Sequence, residues 1–499
     1  MNLSKTNYLI YQDCGKNAWL KIHKPDVYFE NELSAFDEGL IETGNEVDDL
    51  ARDLYPGGVS VDNRKDFDYT AKLIKEKTPV IYQPVFQTDK YQIACDIIVL
   101  NEKTGKYDIH EVKASNSGDD KKKKTKNELY EKDLAFQYIT MKEAGVDVGN
   151  LYLRRLNPDY VRNGELDINE FFTKEYFTER VLEKEEAIHE EMEIAYDYLM
   201  QEEEPGGNCS CLLKGRNAHC TTFAYSNPDV PKYSVHDISR IGLSKRKLED
   251  LIDSGIRDIL DVPLDFKLSE KQENQLLVAR KKTEILDREG IQEFLDTIEY
   301  PIAFFDYETF PSAIPRFNGY SPYNQIPFQF SVHVLDEPGG ELKHEEFIYT
   351  DTGNPDEPMI KALQKFIPEK GSVIVWYKSF EMTRNKELGI RNPEHQPFLQ
   401  NLNDRIVDLE DPFKAQFYVH PEFKGKTSIK YILPALVPEL SYKDMNIKEG
   451  ATASNTWNQI VRGELSEEEA EAQTENLLRY CELDTYAMVE IFNVLKRLI

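Results

Sequence analysis

The sequence predicts an α/β protein of several domains, and three observations support this expectation. The chain has 499 residues, which at about 150 residues per domain corresponds to about three domains. Strand-like apolar runs alternate with helical patterns along it. A hydrophobic fraction of 40% and an aromatic fraction of 11% supply several buried cores and argue against disorder. Changes in these patterns predict domains at 1–225, 226–290 and 291–499.

The charge balance excludes one class of nucleic-acid-binding protein. With 61 basic and 90 acidic residues the net charge is −29, so bulk positive charge cannot hold a nucleic acid as it does in histones. Carboxylates that bind metal, together with local basic patches, remain compatible with this acidity. There is no run of about 20 apolar residues, and residues 1–6 lack the apolar core of a signal peptide. We therefore expect a soluble, cytoplasmic protein with no membrane partner.

In the first domain, turn residues and hydrophobic periodicity delimit the elements. Residues 1–50 have a helical pattern that ends before the turn Pro56-Gly57-Gly58. The pattern then predicts strands at 79–86, 91–100, 107–114 and 150–156, and helices at 129–144 and 174–204.

Three polar residues interrupt two of these apolar strands. Glu111 and Lys113 alternate along one strand and therefore share a face, and Asp96 lies in the preceding strand, which a short turn makes its antiparallel neighbour. Converging acids can hold a hard divalent cation, and a nearby lysine can orient water or neutralise phosphate charge. An ordinary surface hairpin with a Glu–Lys pair is the alternative interpretation.

This arrangement resembles the RecB-like branch of the PD-(D/E)XK nuclease superfamily, which includes the cysteine-bearing CRISPR adaptation nucleases. The resemblance implies a restriction-endonuclease-like fold in which Asp96 and Glu111 bind metal and Lys113 is catalytic. It also implies a metal ligand from an upstream helix, at Glu46 or alternatively Glu42, and a role for Gln137. Met141 stands where the motif of Gln137 usually has a tyrosine.

Six cysteines in a chain of this length do not indicate a disulfide framework. Cys209, Cys211 and Cys220 lie within twelve residues, which indicates a metal or cluster. The RecB-like resemblance implies that Cys14 joins them around a [4Fe–4S] cluster that closes the domain. Zinc, with His219 as a possible substitute ligand, and unliganded cysteines are the alternatives.

In the third domain, two short motifs each place a pair of polar side chains on one face of an element. Asp306 and Glu308 share one face of a strand that begins at 302, and Tyr480 and Asp484 are one helical turn apart near the C-terminus. These residues resemble the DEDD exonucleases of the RNase H-like fold. The resemblance implies Mg²⁺ or Mn²⁺ at the acids and a Tyr480 hydroxyl that orients water.

The acid of the second DEDD motif has two candidates. Glu381 follows a strand at 372–376 in the expected place, where the motif usually has aspartate, and Asp408 is the alternative. The region 426–436 is similar to the C-terminal part of a family of uncharacterised bacterial proteins that fuse a RecB-like nuclease to a DEDD-type domain.

Residues 251–263 resemble a degenerate helix-hairpin-helix, a unit that offers backbone N–H groups to phosphate. Basic patches at 244–247 and 121–126 could contact a nucleic-acid backbone, although a solvated loop explains a lysine run equally well. The sequence as a whole predicts a metal-dependent deoxyribonuclease, with exonuclease activity expected and two nuclease-like sites. An RNA-directed exonuclease, or a nucleic-acid-binding scaffold with one or both sites inactive, is the alternative.

Overall fold

The structure, a computed structural model, describes residues 1–29, 34–116, 120–442 and 445–499, and for residues 120–126 it describes the helical backbone without the side chains. The chain forms two compact units. Unit 1 comprises Met1–Val230 and Ala313–Asn324, and unit 2 comprises Pro231–Ser312 and Gln325–Ile499. The predicted mixed α/β, multidomain architecture is confirmed. The side chains of the predicted basic patch 121–126 lie outside the described residues.

Unit 1 contains the first nine strands and the first ten helices that the structure describes. Its strands are β1 (Leu3–Ser4), β2 (Val59–Ser60), β3 (Val80–Tyr82), β4 (Val85–Gln87), β5 (Tyr91–Ala94), β6 (Ile97–Asn101), β7 (Lys106–Lys113), β8 (Val148–Leu156) and β9 (Phe172–Tyr176). Its helices are α1 (Lys5–Asp13), α2 (Gly15–His23), α3 (Pro25–Tyr28), α4 (Ala35–Arg52), α5 (Phe67–Lys75), α6 (Asp120–Glu143), α7 (Ile168–Phe171), α8 (Thr178–Leu182), α9 (Glu185–Met200) and α10 (Phe223–Ser226).

Strand β7 lies near the middle of the main sheet of unit 1. The sheet has the order β2-β3-β6-β7-β8-β9, in which β6 pairs antiparallel and β8 pairs parallel with β7. Ile109 of β7 packs in the same core as Leu134 and Phe136 of α6. Beyond His110, β8 continues beside β7 as far as Lys113, and on the other edge the N–H of Val112 donates to the Asp96 carboxylate.

The predicted strands 79–86 and 91–100 are each broken in two. At the break, Gln83 adopts a positive φ of 51° and its N–H donates to the carbonyl of Asp96. The breaks separate β4 and β5, which pair with each other in a three-stranded sheet with β1, from β3 and β6, which belong to the main sheet. Asp96 therefore lies in the break between β5 and β6. The sequence had predicted it within one continuous strand, and that prediction is wrong.

The predicted helix 174–204 is also divided. Residues up to Tyr176 belong to β9, which pairs antiparallel with β8, and α8 and α9 follow. The apolar residues of the predicted stripe, such as Ile188 and Met192, are buried in the unit 1 core. The periodicity was therefore informative for α9, whereas pairing with β8 decided the conformation of the preceding segment.

Unit 2 contains the remaining strands and helices. Its strands are β10 (Ile285–Leu286), β11 (Ile302–Pro311), β12 (Gln325–Leu335), β13 (Leu342–Ile348), β14 (Val373–Val375), β15 (Ile406–Asp408) and β16 (Tyr418–Val419). Its helices are α11 (Lys245–Asp253), α12 (Glu270–Lys281), α13 (Arg288–Leu295), α14 (Asp356–Phe366), α15 (Lys378–Arg391), α16 (Gln396–Asp404), α17 (Asp411–Lys414), α18 (Ile429–Leu436), α19 (Gly450–Arg462) and α20 (Glu467–Leu498). The predicted middle module, from residue 231 onward, belongs to this unit.

The five-stranded sheet of unit 2 has the order β13-β12-β11-β14-β15. Strand β12 is antiparallel to both β13 and β11, whereas β14 is parallel to β11 and β15 is parallel to β14. Alternate residues of β11 enter different cores: Phe304 packs with Met488 and Ile491 of α20, and Phe305 packs with Leu388 of α15. The even-numbered side chains of β11 therefore face α20.

Among the described helices, including the long α20, we find none that combines the length and the apolar composition needed to cross a membrane. Each of the six cysteines is a free thiol.

Candidate active sites

Three carboxylates of unit 2 converge between β11 and α20. One oxygen each of Asp306, Glu308 and Asp484 lies within 4.8 Å of the others. Asp306 and Glu308 share the even-numbered face of β11, which is the face that α20 covers. Strand periodicity and the packing of α20 thus bring the two acids of β11 together with Asp484.

Glu381 adds a fourth carboxylate near the first two. It lies in the first turn of α15, directly after β14, and is only 2% exposed. Desolvation raises the pKa of Glu381 well above its usual value, and the charges of Asp306 and Glu308 raise it further. Among the described residues, Glu381 Oε2 has no hydrogen-bond partner. An unpartnered buried oxygen beside two acids is suited to a cation.

Asp408, the alternative to Glu381, has different partners. Its carboxylate accepts hydrogen bonds from the backbone N–H groups of Tyr377 and Lys378, at 3.0 and 3.1 Å, where α15 begins. Lys414 also contacts it, at 3.2 Å. These contacts satisfy the negative charge of Asp408 at a helix N-terminus. Glu381 is therefore the acid on which the charges of Asp306 and Glu308 act, and Asp408 holds the start of the helix that carries it.

Mutual repulsion and burial govern the electrostatics of this site. Desolvation raises the pKa of Asp306 and of Glu308 well above their usual values, and the neighbouring acids raise both further. Desolvation also raises the pKa of Asp484, to about 6. Without cations such a group of acids retains protons. A donor set made only of carboxylate oxygens fits hard divalent cations such as Mg²⁺ or Mn²⁺.

Two tyrosines contact Asp484. The hydroxyl of Tyr442 donates to Asp484 Oδ1 at 2.6 Å, and a side-chain hydrogen bond from Tyr480 also lowers the pKa of Asp484. The positive charge of Lys430 in α18 acts on Asp484 in the same direction. Tyr480 therefore lies beside the carboxylates, one helical turn from Asp484, as the spacing predicts.

The unit 1 site is centred on Glu111, which is 1% exposed. Lys113 Nζ lies 2.6 Å from Glu111 Oε1 and 2.7 Å from Asp133 Oδ2. Lys5 Nζ, at the start of α1, lies 2.9 Å from the same Glu111 oxygen and 3.1 Å from Asp133. Desolvation alone would raise the pKa of Glu111, but Lys113 and Lys5 bring it below its usual value. Glu111 is therefore held ionised between two lysines.

Gln137 joins this network from α6. Its Nε2 donates to Glu111 Oε2 at 2.7 Å and to Asp133 Oδ1 at 2.8 Å. Its Oε1 is buried and has no hydrogen-bond partner among the described residues. Gln137 thus orients Glu111 through its Nε2 group, although the tyrosine of its expected motif is absent.

Asp96 reaches the same site from the break between β5 and β6, where its Oδ2 accepts a hydrogen bond from the N–H of Val112 at 2.8 Å. Desolvation raises the pKa of Asp96 well above its usual value, and Glu111 and Asp48 raise it further. Asp48 lies in α4, and burial together with Glu111 raises its pKa to about 6. The predicted helix acid, Glu46, precedes Asp48 by two residues, so the two side chains point about 200° apart around α4.

The four predicted cysteines converge in unit 1. The sulfurs of Cys14, Cys209, Cys211 and Cys220 all lie within 4.8 Å of one another, and those of Cys209 and Cys220 are 3.9 Å apart. A tetrahedral ion with metal–sulfur bonds of about 2.3 Å holds its sulfurs about 3.8 Å apart. Four thiolates at this spacing could bind a metal, and the single residue between Cys209 and Cys211 does not prevent it. His219 contacts the carbonyl of Lys214 at 3.1 Å through Nε2.

The loop that carries the late cysteines is anchored to the helices around Cys14. Asn17 Oδ1 accepts hydrogen bonds from Thr221 Oγ1 and Thr222 Oγ1, at 3.1 and 2.8 Å. Lys214 Nζ contacts the Asp13 carboxylate at 2.6 Å. Asn227 Nδ2 donates to the sulfur of Cys209 at 3.3 Å, which favours a thiolate there. The four-cysteine site thus brings together two segments that are nearly 200 residues apart in the sequence.

Comparison with known proteins finds relatives to which no activity is assigned. Residues 303–428 match a family model described as a domain of unknown function, DUF2779. The chain is 25% identical over 299 residues to Uncharacterized protein UU173 of Ureaplasma parvum, covering 56% of this chain and 41% of the relative. It is 26% identical over 205 residues to Uncharacterized protein MG366 homolog of Mycoplasma pneumoniae, covering 38% and 31%. No solved structure matches.

These similarities support an uncharacterised bacterial family. The chain spans less than half the length of the curated relatives it matches. The matched region 303–428 includes Asp306, Glu308 and Glu381 and ends before Asp484.

Sequence reasoning missed four residues of the two sites. Lys5, Asp48 and Asp133 surround Glu111, and Tyr442 contacts Asp484. The spacing of Asp133 and Gln137, four residues apart on α6, is a signal that could have identified Asp133. Lys5 and Tyr442 reach their sites through long-range packing, for which the sequence offers no local pattern.

Proposed function

We propose that this protein is a metal-dependent nuclease that hydrolyses phosphodiester bonds of DNA, with a candidate active site in each unit. The observation that carries this proposal is the convergence of Asp306, Glu308 and Asp484 within 4.8 Å. The buried carboxylate of Glu381 lies within electrostatic range of the first two. The strand order of unit 2, three antiparallel strands followed by two parallel ones, supports the RNase H-like expectation.

In this proposal the four carboxylates of unit 2 would hold two divalent ions, which supply an activated water and stabilise the leaving oxygen. The chain's own residues perform the positioning. Asp408 secures the first turn of α15 and hence Glu381. Hydrogen bonds from Tyr442 and Tyr480 favour the ionised form of Asp484, and the Tyr480 hydroxyl beside this carboxylate would orient a water. Lys430 provides positive charge for a phosphate at the same edge.

For unit 1 we propose a RecB-like site in which Asp96 and Glu111 would hold a divalent ion with Gln137 Oε1. Lys113 would stabilise charge on the phosphate, since its ammonium already lies among the acids. The oxygen donors fit a hard cation, and the binding of substrate and metal would replace the ion pairs that Glu111 makes with the two lysines.

A second candidate function for unit 1 is binding of nucleic acid without cleavage. The observation that favours it is the pairing of Glu111 with both Lys5 and Lys113, which neutralises the acid without a metal. In that case unit 2 carries all of the hydrolysis.

The four-cysteine site serves structure in this proposal. The resemblance to RecB-like nucleases favours a [4Fe–4S] cluster, whereas the 3.9 Å separation of Cys209 and Cys220 suits a single zinc ion. In a cluster each thiolate binds a different iron, so its sulfurs lie further apart than around one ion. Either group would fasten the N-terminal helices to the loop that follows α9.

The deciding experiment incubates the full chain with end-labelled single- and double-stranded DNA and RNA in Mg²⁺, Mn²⁺ or EDTA. We expect metal-dependent cleavage of DNA that Asp306→Asn and Glu111→Gln each reduce. Glu475→Gln, which removes one exposed charge from α20, is the matched control and should cleave normally. Cleavage that persists in the double variant Asp306→Asn/Glu111→Gln would contradict both site assignments, and preferential cleavage of RNA would establish the alternative substrate.

A further inference from the structure

Unit 2 contains a second cluster of possible metal ligands, which the proposed nuclease chemistry does not use. His333 of β12 and His344 of β13 are directly opposite each other in the antiparallel pair, and their rings stack at a centroid distance of 4.5 Å. Glu482 of α20 lies over the same strands. Each of the three offers a ligand atom within 4.8 Å of the others.

One nitrogen of each imidazole ring already has a hydrogen-bond partner. His344 Nε2 is 3.0 Å from Ser331 Oγ, and His333 Nδ1 is 2.9 Å from Thr485 Oγ1. The two hydroxyls are 2.8 Å apart and so connect the two rings. Histidines that bind metal use their second ring nitrogen in this way, to fix tautomer and orientation.

The other ring nitrogens, His344 Nδ1 and His333 Nε2, are left to bind one ion between them. His344 Nδ1 lies 3.8 Å from Glu482 Oε1, which is too long for a hydrogen bond. Two such ligand atoms of a tetrahedral zinc ion lie about 3.4 Å apart, so a small movement of the half-exposed Glu482 side chain would bring both onto one ion. Glu346 lies two residues beyond His344 on the same face of β13, and its pKa is sensitive to both His344 and Glu482. A second carboxylate is thus close to the three ligands.

We propose that His333, His344 and Glu482 form a binding site for a divalent transition metal, with Zn²⁺ as the best fit. Two imidazoles and one carboxylate suit zinc, whereas Mg²⁺ prefers oxygen ligands alone. The side chains of His344 and Glu482 are 25% and 49% exposed, so an ion can enter from solvent and a water can complete its coordination. The ion would connect α20 to β12 and β13, and α20 also carries Asp484.

The test titrates the metal-free full chain with Co²⁺ in a large excess of Mg²⁺, which occupies sites made of oxygen alone. Co²⁺ bound by the four cysteines gives an intense thiolate charge-transfer band, whereas an imidazole–carboxylate site gives only weak ligand-field bands. We expect one Co²⁺ beyond the thiolate-bound one. His344→Gln and Glu482→Gln should each weaken its binding about 100-fold or more, because they remove a direct ligand.

Two matched controls accompany these variants. Glu345→Gln makes the same charge change on the opposite face of β13, and His420→Gln removes another histidine of unit 2; both should bind Co²⁺ as the wild type does. Circular dichroism verifies folding, and the half-exposed Glu482 provides the variant with least risk to the fold. The proposal is overturned if wild type binds only the thiolate-associated ion, or if both ligand variants retain wild-type affinity. These readouts are independent of nuclease activity.

Discussion

The hydroxyl of Tyr442 donates a 2.6 Å hydrogen bond to Oδ1 of Asp484. Tyr442 comes from the segment after α18, whereas the second tyrosine at this carboxylate, Tyr480, comes from the same helix as Asp484. Desolvation raises the pKa of Asp484 to about 6, and the two hydroxyls oppose this effect. The ionisation of one candidate metal ligand therefore depends on residues that are nearly forty positions apart in the sequence.

Replacing Tyr480 with Phe should slow hydrolysis by up to about 100-fold, because the hydroxyl positions water. Well above the Asp484 pKa of about 6, Mn²⁺ affinity should be nearly unchanged, because there the carboxylate is ionised in both proteins and the hydroxyl is not a ligand. Single-turnover rates and Mn²⁺ titration would measure the two effects separately. Tyr431→Phe, an exposed tyrosine of α18, is the control. A parallel loss of metal affinity would show that Tyr480 acts mainly by shaping the metal site.

Replacing Tyr442 with Phe should raise the pKa of Asp484 further above about 6, because the carboxylate loses a donor. Protons then compete with metal up to higher pH. We expect the pH midpoint of Mn²⁺ binding to lie higher in the variant than in wild type. Well above that midpoint the two proteins should bind Mn²⁺ with nearly the same affinity. An unchanged midpoint would mean that Tyr442 does not control this ionisation.

Acid should stabilise the metal-free protein through Asp484. Its folded pKa of about 6 lies above the unfolded value of about 4, so its contribution is complete below about pH 4 and is lost as the pH rises through about 6. In EDTA, the free energy of unfolding of wild type should fall more over this window than that of Asp484→Asn. Mg²⁺ at a concentration 100 times its Kd should raise the free energy of unfolding of wild type by about 2.7 kcal/mol. It should raise that of Asp484→Asn less. Equal pH profiles for the two proteins would contradict the assignment.

Replacing Lys113 with Ala should abolish cleavage by unit 1, with a loss of at least about 100-fold. The assay uses the Asp484→Asn background, so that unit 2 is disabled. Metal binding should persist, because the variant removes a positive charge that competes for Glu111 and Asp133. Lys132→Ala, which breaks an ion pair with Glu191 in the same unit, is the control. Full activity of Lys113→Ala in this background would refute the catalytic role.

Replacing Cys220 with Ser should lower bound metal to well below one site per chain and destabilise unit 1, because three thiolates hold the group less tightly than four. Elemental analysis of anaerobically purified protein identifies the group. Bound iron together with broad absorbance at about 400 nm indicates an iron–sulfur cluster. A colourless protein that contains zinc indicates a single ion. Ser210→Ala, between two of the cysteines, is the control. Wild-type protein without either metal would contradict the site.

Local periodicity was sufficient for part of each candidate site. Alternation along β11 places Asp306 and Glu308 on one face, and helical spacing places Tyr480 one turn from Asp484. Alternation along β7 does the same for Glu111 and Lys113. The same local patterns could not show that the apolar run at 91–100 divides between two sheets, because that break depends on the strands with which each half pairs.

By itself, the sequence determined the mixed α/β class, the pairs of site residues within single elements, and the three late cysteines as a group, to which the family resemblance added Cys14. Only the tertiary structure distinguished Glu381, on which the charge of Asp306 acts, from Asp408, which binds the start of α15. It also brought Lys5 to Glu111 and Tyr442 to Asp484. The physical reason is that hydrophobic periods and turn residues act over a few positions, whereas contacts between distant segments arise from the joint packing of whole sheets and helices.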